Sequence, residues 1–146
     1  SYGLAYRQEK KYTLSFNADF YGAESYQDLD FSTAADSITH DPTWNFSLGG
    51  EYYFKPWLSG RLGLFTNFSS HPKIETIGAN RVGDRIDMLG VSSNWTFHTS
   101  NNTQFNIGGY WTGGSGQSVQ QVGQTLKAID KTLHIFAMVV GSSYSF

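Results

Sequence analysis

The fold is decided by the stretch Trp44-Asn45-Phe46-Ser47-Leu48-Gly49-Gly50-Glu51-Tyr52-Tyr53-Phe54. Apolar side chains, or glycine, occupy every second position of this stretch, and mostly polar or small residues lie between them. Because successive side chains of a β-strand point to opposite faces, the alternation predicts a strand with one apolar and one polar face. A helix would scatter the same residues around its circumference.

The same period of two occurs six more times along the chain, so seven strands are predicted. Their apolar faces include Leu4, Leu14, Leu48, Leu62, Val91, Ile107 and Met138. The last strand is apolar on both faces in its middle, and its facing is the least determined by the pattern.

The predicted connections alternate between short and long. Short turns are expected at 8–10, 55–56 and 100–102, and long polar loops at 22–43, 69–84 and 113–131. Such alternation is typical of transmembrane barrels, which have tight turns on the periplasmic side and extended outer loops. Gly113-Gly114-Ser115-Gly116 is interpreted as the flexible entry to the third loop. Residues 23–31 still alternate weakly, which leaves an eighth strand open.

Composition narrows the class of protein. Aromatic residues make up 16% of the chain and charged residues only 15%, although a water-facing surface usually carries more charge. The longest apolar run, 135–140, is far shorter than the ~20 residues of a membrane-spanning helix. The net charge of -2, without a Lys/Arg cluster, argues against nucleic acid as a partner. Because the chain has no cysteine, thiol catalysis and thiolate metal sites are excluded.

The placement of the rings separates a membrane barrel from a soluble β-sandwich. On the apolar faces Trp, Tyr and Phe concentrate toward strand ends, with aliphatic residues between them, as in the aromatic girdles that flank a lipid-facing band. The sequence therefore predicts an all-β, transmembrane, antiparallel up-and-down barrel in the bacterial outer membrane, with Leu48, Leu62, Val91 and Ile107 against lipid. The predicted lumen lining, a candidate substrate path, is Arg7, Asn17, Asp19, Tyr21, Glu51, Tyr53, Arg61, Phe65, Asn94, Asn106 and Tyr110. An ion pair between Arg61 and Glu51 is expected across the tight turn at 55–56.

Seven is an odd number of strands, whereas single-chain bacterial barrels have an even number. An open sheet in lipid would leave two unpaired edges, each of which is costly. Three completions are therefore expected as alternatives: an upstream half of the same barrel, further copies of the chain, or the eighth strand near residues 26–31.

Several segments resemble the long-chain fatty acid transporter (FadL-type) family of outer-membrane proteins. They are Gly3-Leu4-Ala5-Tyr6-Arg7, Lys11-Tyr12-Thr13-Leu14-Ser15, Phe46-Ser47-Leu48-Gly49-Gly50-Glu51-Tyr52, Arg61-Leu62-Gly63-Leu64 and the ending Ser143-Tyr144-Ser145-Phe146. The resemblance implies a barrel of about fourteen strands, of which residues 1–146 would be the C-terminal half. It also implies passage of small hydrophobic or amphipathic, fatty-acid-like molecules.

No catalytic site, metal site or cofactor is predicted. The four histidines are far apart in sequence, and His134 is more simply the start of the last strand than a catalytic partner of Ser142 or Asp130. Asp28, Asp30, Asp36 and Asp41 make the first long loop acidic, which suits a solvated loop better than a calcium site. The alternatives to a transporter are a passive porin, a small structural barrel, and a module whose outer loops bind a partner.

Overall fold

The computed structural model describes residues 1–9, 11–27, 37–72, 83–99, 103–122 and 125–144. Its regular elements are all strands: β1 (Tyr2–Gln8), β2 (Tyr12–Tyr21), β3 (Glu24–Gln27), β4 (Ser37–His40), β5 (Thr43–Lys55), β6 (Leu58–Asn67), β7 (Gly83–His98), β8 (Thr103–Val122) and β9 (Thr125–Tyr144). Within these ranges, no helix has the length and apolar character needed to cross a membrane.

Seven strands form one antiparallel sheet in the order β1-β2-β5-β6-β7-β8-β9. The seven predicted strands are thus confirmed, and each pairs with the next along the sheet. The strands β1 and β9 lie at the two edges and do not pair with each other, so the sheet is open. No eighth strand joins it from the described residues. Instead, β3 and β4 pair only with each other in the first connection, and residues 28–36 lie outside the described part of the chain.

The predicted long loop at 113–131 is wrong, because β8 continues to Val122 and β9 begins at Thr125. The interpretation of residues 113–116 as a flexible linker is wrong for the same reason. A Cβ added to Gly114 or Gly116 would overlap the carbonyl oxygens of Asp87 and Arg85 on β7. Glycine is needed here for close approach of two strands, which is its other common use besides flexibility.

The strands on either side of each predicted short turn are neighbours in the sheet, as expected. The Lys11 amide donates to the Gln8 carbonyl at 3.1 Å, and a two-residue turn at 56–57 joins β5 to β6. The Thr99 amide donates to the Thr103 carbonyl at 2.8 Å, on either side of residues 100–102, which lie outside the described part.

The register aligns apolar side chains into rows that run across the whole sheet. One row contains Leu4, Phe16, Leu48, Leu64, Val91, Trp111 and Phe136, one residue from each strand. The predicted facing of the last strand is therefore correct, because Phe136 shares a face with Leu48 and Val91. Leu62 and Ile107 lie on this same face, in the first and second rows from this one toward the short turns. We call this surface the apolar face and the opposite one the polar face.

The sheet has almost no hydrophobic core in the described residues. Only Ala18, Ile86 and Val119 are buried hydrophobics, whereas Leu62 is 65% exposed and Met138 82% exposed. A soluble domain covers its apolar sheet face with a second layer of helices or strands. In the described ranges the main sheet is a single layer, unlike the two layers of a soluble sandwich.

Candidate functional site

The polar face brings together all eleven residues of the predicted lining. The register places these side chains on one side of the sheet: Arg7, Asn17, Asp19, Tyr21, Glu51, Tyr53, Arg61, Phe65, Asn94, Asn106 and Tyr110. That these residues share one face agrees with the alternation from which the facing of β1, β2, β5, β6, β7 and β8 was predicted. Whether this face lines a lumen remains a prediction.

Glu51 and Arg61 form the predicted ion pair. They are direct partners across β5 and β6, and the Arg61 Nε donates to the Glu51 Oε1 at 2.9 Å. The Glu51 side chain is 16% exposed and the Arg61 side chain 53%. Since one member of the pair reaches water, the pair is worth little more than an ordinary surface salt bridge.

Next to this pair lies a buried hydroxyl that the sequence analysis missed. The Ser59 hydroxyl, which has no exposed surface, donates to the Glu51 Oε1 at 3.3 Å and lies 3.4 Å from the His98 Nε2. The His98 ring stacks on Tyr53, with ring centroids 6.1 Å apart. Counting rungs back from the turn at 56–57 would have placed Ser59 beside Glu51, but nothing in the sequence marks His98 as their neighbour.

A second buried hydroxyl lies on the neighbouring strand β7 and bonds separately toward β8. Thr96 is the register partner of Ser59 and is 1% exposed. Its hydroxyl donates to the Asn106 Oδ1 at 2.6 Å. The bonded order differs from that of a nucleophile, base and acid, because Glu51 contacts the serine directly. Ser59 is fully buried and so is not an accessible nucleophile, and these contacts brace the sheet.

Charged and hydrophobic residues occupy different parts of the polar face. Its mid-sheet charges, Arg7, Asp19, Glu51 and Arg61, lie on β1, β2, β5 and β6. At the same level, the side formed by β6 to β9 presents an apolar strip consisting of Phe65, Met88, Tyr110, Ile135 and Val139.

Two rings of the apolar strip contact each other, and several members of the strip are accessible. Phe65 lies edge-on to Tyr110 with ring centroids 6.3 Å apart, over the space left by Gly90. Val139 is 58% exposed, and Tyr110 and Ile135 are each more than a third exposed. The face therefore combines charge and hydrophobic surface, a combination that can bind a molecule with both kinds of group.

The opposite end of the sheet, near the long connections, is held by polar contacts. The Arg85 Nη1 donates to the His71 carbonyl at 2.6 Å and to the Asp41 Oδ2 at 3.3 Å. Lys131 pairs with Asp84, and hydrogen bonds from Lys131 and then Ser118 lower the pKa of Asp84 below its ordinary value of 3.8. These contacts tie the segment 69–72 to β7, and β7 to β9.

The site alternatives that the sequence weighed receive no geometric support in the described residues. His134 lies on the apolar face, where its ring stacks on Trp111 with ring centroids 5.8 Å apart. Ser142 and Asp130 lie eight and four residues from it on the same strand, or roughly 27 and 14 Å at about 3.4 Å per residue. Asp41 contacts Arg85, while Asp28, Asp30 and Asp36 lie outside the described part. No group of metal-binding side chains occurs in the described part.

Two clusters of rings lie toward opposite ends of the apolar face, on β2 and β5 and on β5 and β7. Near the long connections, the ring centroid of Trp44 lies 4.9 Å from that of Phe20 and 6.1 Å from that of Phe46. Near the short turns, the ring centroid of Phe54 lies 5.0 Å from that of Tyr52 and 5.5 Å from that of Trp95. The ten steps from Trp44 to Phe54 span about 34 Å along a strand, or about 26 Å vertically at a tilt of about 40°. That height is close to the roughly 25 Å apolar band of outer-membrane barrels.

Comparison of the chain with protein-family models, with curated proteins and with solved structures gives no significant match. The resemblance to the fatty acid transporters therefore stays a prediction. The fold that is shown is an open, all-β, seven-stranded antiparallel sheet.

Proposed function

We propose that the chain is part of the wall of an outer-membrane β-barrel that passes small hydrophobic or amphipathic molecules. The observation that carries this proposal is a single-layered sheet with one continuous apolar face seven strands wide, with ring clusters on β2 and β5 near the long connections and on β5 and β7 near the short turns. The apolar face contacts lipid, and the polar face lines the lumen.

The exposed apolar surface is too costly for water. Covering one large apolar side chain is worth about 1.5–3 kcal/mol, so leaving the partly exposed row from Leu4 to Phe136 in water would cost on the order of 10 kcal/mol. That cost equals the whole stability of a typical domain, about 5–15 kcal/mol. Lipid removes the cost without a second protein layer.

The polar face combines charged side chains with the apolar strip, and this combination supports an amphipathic cargo. A passive aqueous pore needs only polar and charged walls, whereas this lining includes the accessible apolar strip with Phe65, Tyr110 and Val139. A cargo could place its apolar part on the strip and its polar part toward Arg61 or Arg7. This cargo class agrees with the one that the family resemblance implies.

A second candidate function is a structural or passive barrel. It is favoured by two groups of hydrogen-bonded side chains on the polar face, Glu51 with Arg61 and Ser59, and Thr96 with Asn106. Among the described residues, no buried side-chain polar atom lacks a hydrogen-bond partner. A wall braced in this way needs no ligand to complete it.

Flux through liposomes containing the intact protein separates the candidates. We expect an amphipathic acyl probe to cross faster than a small sugar, and Val139→Asn to slow the probe several-fold without changing sugar flux. The matched control, Val140→Asn, alters the neighbouring side chain on the apolar face and should leave the probe's flux unchanged if the barrel assembles. Equal flux of sugar and probe would favour a passive pore, and no flux of either would favour a structural barrel.

A further inference from the structure

The two edges of the sheet run in the same direction. Six successive antiparallel pairings connect β1 to β9. Each pairing reverses the strand direction, so after six reversals β9 is parallel to β1. Any strands that close the sheet must therefore fit two edges of equal direction.

On both edge strands the large side chains of the apolar face are highly exposed. Leu4 on β1 is 74% exposed, and Phe136, Met138 and Val140 on β9 are each more than 75% exposed. These exposures are high because each residue has a neighbouring strand on one side only. In a lipid environment each unpaired backbone group of such an edge costs several kcal/mol, which drives both edges to find partners.

Charge distinguishes the part of β9 that fits a partner from the part that does not. The twelve residues 133–144 contain no Asp, Glu, Lys or Arg, whereas Lys127, Asp130 and Lys131 occupy the end near Thr125. Charged side chains are a common protection of exposed strand edges against pairing. The uncharged part matches the about 9–11 residues with which a strand crosses a membrane.

We infer that β1 and residues 133–144 of β9 are the two seams of a barrel, each pairing antiparallel with strands supplied from outside this sheet, and that those strands are odd in number. The first and last added strands must both run opposite to β1 and β9, which only an odd set of alternating strands satisfies. The total is then even, as in bacterial single-chain barrels.

The same argument excludes a second copy of the sheet as the partner. Two copies that stand the same way up in a membrane would meet β9 against β1 in parallel at both seams. This inference rests on the proposed barrel. Of the completions that the sequence left open, it disfavours further copies of the chain relative to an upstream half of the same barrel.

Disulfide trapping in the intact protein tests the seams, since the sequence has no cysteine of its own. Ala5→Cys is combined in turn with Ala137→Cys, Val139→Cys and Gly141→Cys, all of which lie on the polar face of the two edge strands. The positive control combines Ala5→Cys with Ser15→Cys, its register partner on β2. A bond needs Cβ atoms about 3.5–4.5 Å apart.

We expect the control pair to cross-link on oxidation and none of the three edge pairs to do so. A cross-linked dimer would show that a second copy fills the seam, and a cross-link within one chain would show that the sheet closes on itself. Either result overturns the inference.

Amide hydrogen exchange supplies a positive readout. We expect residues 2–8 and 133–144 to be protected at least tenfold more than residues 127–132, and equal exchange in the two parts of β9 would overturn the seam assignment. Membrane fractionation is scored separately. Protected seams in a water-soluble assembly would refute the membrane proposal while leaving the seams in place.

Discussion

The two faces of the sheet achieve stability in different ways. On the polar face Ser59 and Thr96 are buried and hydrogen-bonded to neighbouring side chains. On the apolar face Leu62 and Leu64 are each more than half exposed. The buried hydroxyls of the polar face find hydrogen-bond partners within the sheet. The stability of the apolar face depends on the medium that surrounds it.

This difference shows where the fold obtains its free energy. Hydrogen bonds on the polar face each contribute about 1 kcal/mol and fix the register. The apolar face contributes only when lipid or another apolar phase removes it from water. Substitutions on the two faces should therefore respond differently to the surrounding medium, and the following predictions use that contrast.

The largest effect is expected from a charge on the apolar face. Leu62→Arg should destabilise the protein in a bilayer by about 2–4 kcal/mol, since Arg near the membrane midplane carries that cost. Val139→Arg places the same charge on the polar face and should cost less than about 1 kcal/mol. Equilibrium unfolding by urea from lipid vesicles measures both, and equal losses would show that the faces do not differ in environment.

Glycine substitutions on the polar face should have the next largest effect. Gly116→Ala drives a methyl group into the Arg85 carbonyl, and relief of this overlap requires a backbone shift that costs about 1–3 kcal/mol. Gly141→Ala is the control, because nothing lies within 4 Å of its added Cβ. Denaturant midpoints that fall equally in both variants would contradict the close approach of β7 and β8.

The sequence predicted the seven strands, their facing and the Glu51–Arg61 pair because all three follow from the period of two and from a tight turn. It did not predict how far β8 and β9 extend. Residues 113–131 are mostly polar or glycine, and their large apolar residues, Val119, Val122, Leu126 and Ile129, do not recur at every second position, so the segment shows no strand-like alternation to detect. The position of His98 next to Ser59 was also missed, because it depends on the register between β6 and β7, which the long connection between those strands leaves undetermined.

A double-mutant cycle measures what the Glu51–Arg61 pair adds to the polar face. Using Glu51→Gln and Arg61→Gln, we expect a coupling energy of about 0.5–1 kcal/mol, because Arg61 is more than half exposed and its charge is screened by water. Raising the salt concentration should reduce the coupling. A coupling of zero at low salt would mean that the ion pair does not fix the register of β5 against β6.

The smallest effect is expected beyond the apolar band, at Asp84. Its lowered pKa, caused by hydrogen bonds from Lys131 and Ser118, stabilises the folded state at pH values above the ordinary 3.8. This contribution is lost as the pH falls below 3.8 through the folded-state pKa. NMR titration should detect the low pKa in the intact protein, and Lys131→Met should raise it. A midpoint at or above 3.8 in the unmodified protein would contradict the contact.

Depth-dependent quenching of tryptophan fluorescence by brominated lipids tests the membrane-facing apolar face most directly. In variants that keep one tryptophan each, Trp111 lies in the middle row, while Trp44 and Trp95 lie four residues from that row toward the two ends. We expect bromine deep in the acyl chains to quench Trp111 most strongly, and bromine near the headgroups to quench Trp44 and Trp95. Weak quenching of all three tryptophans at every depth would contradict the account.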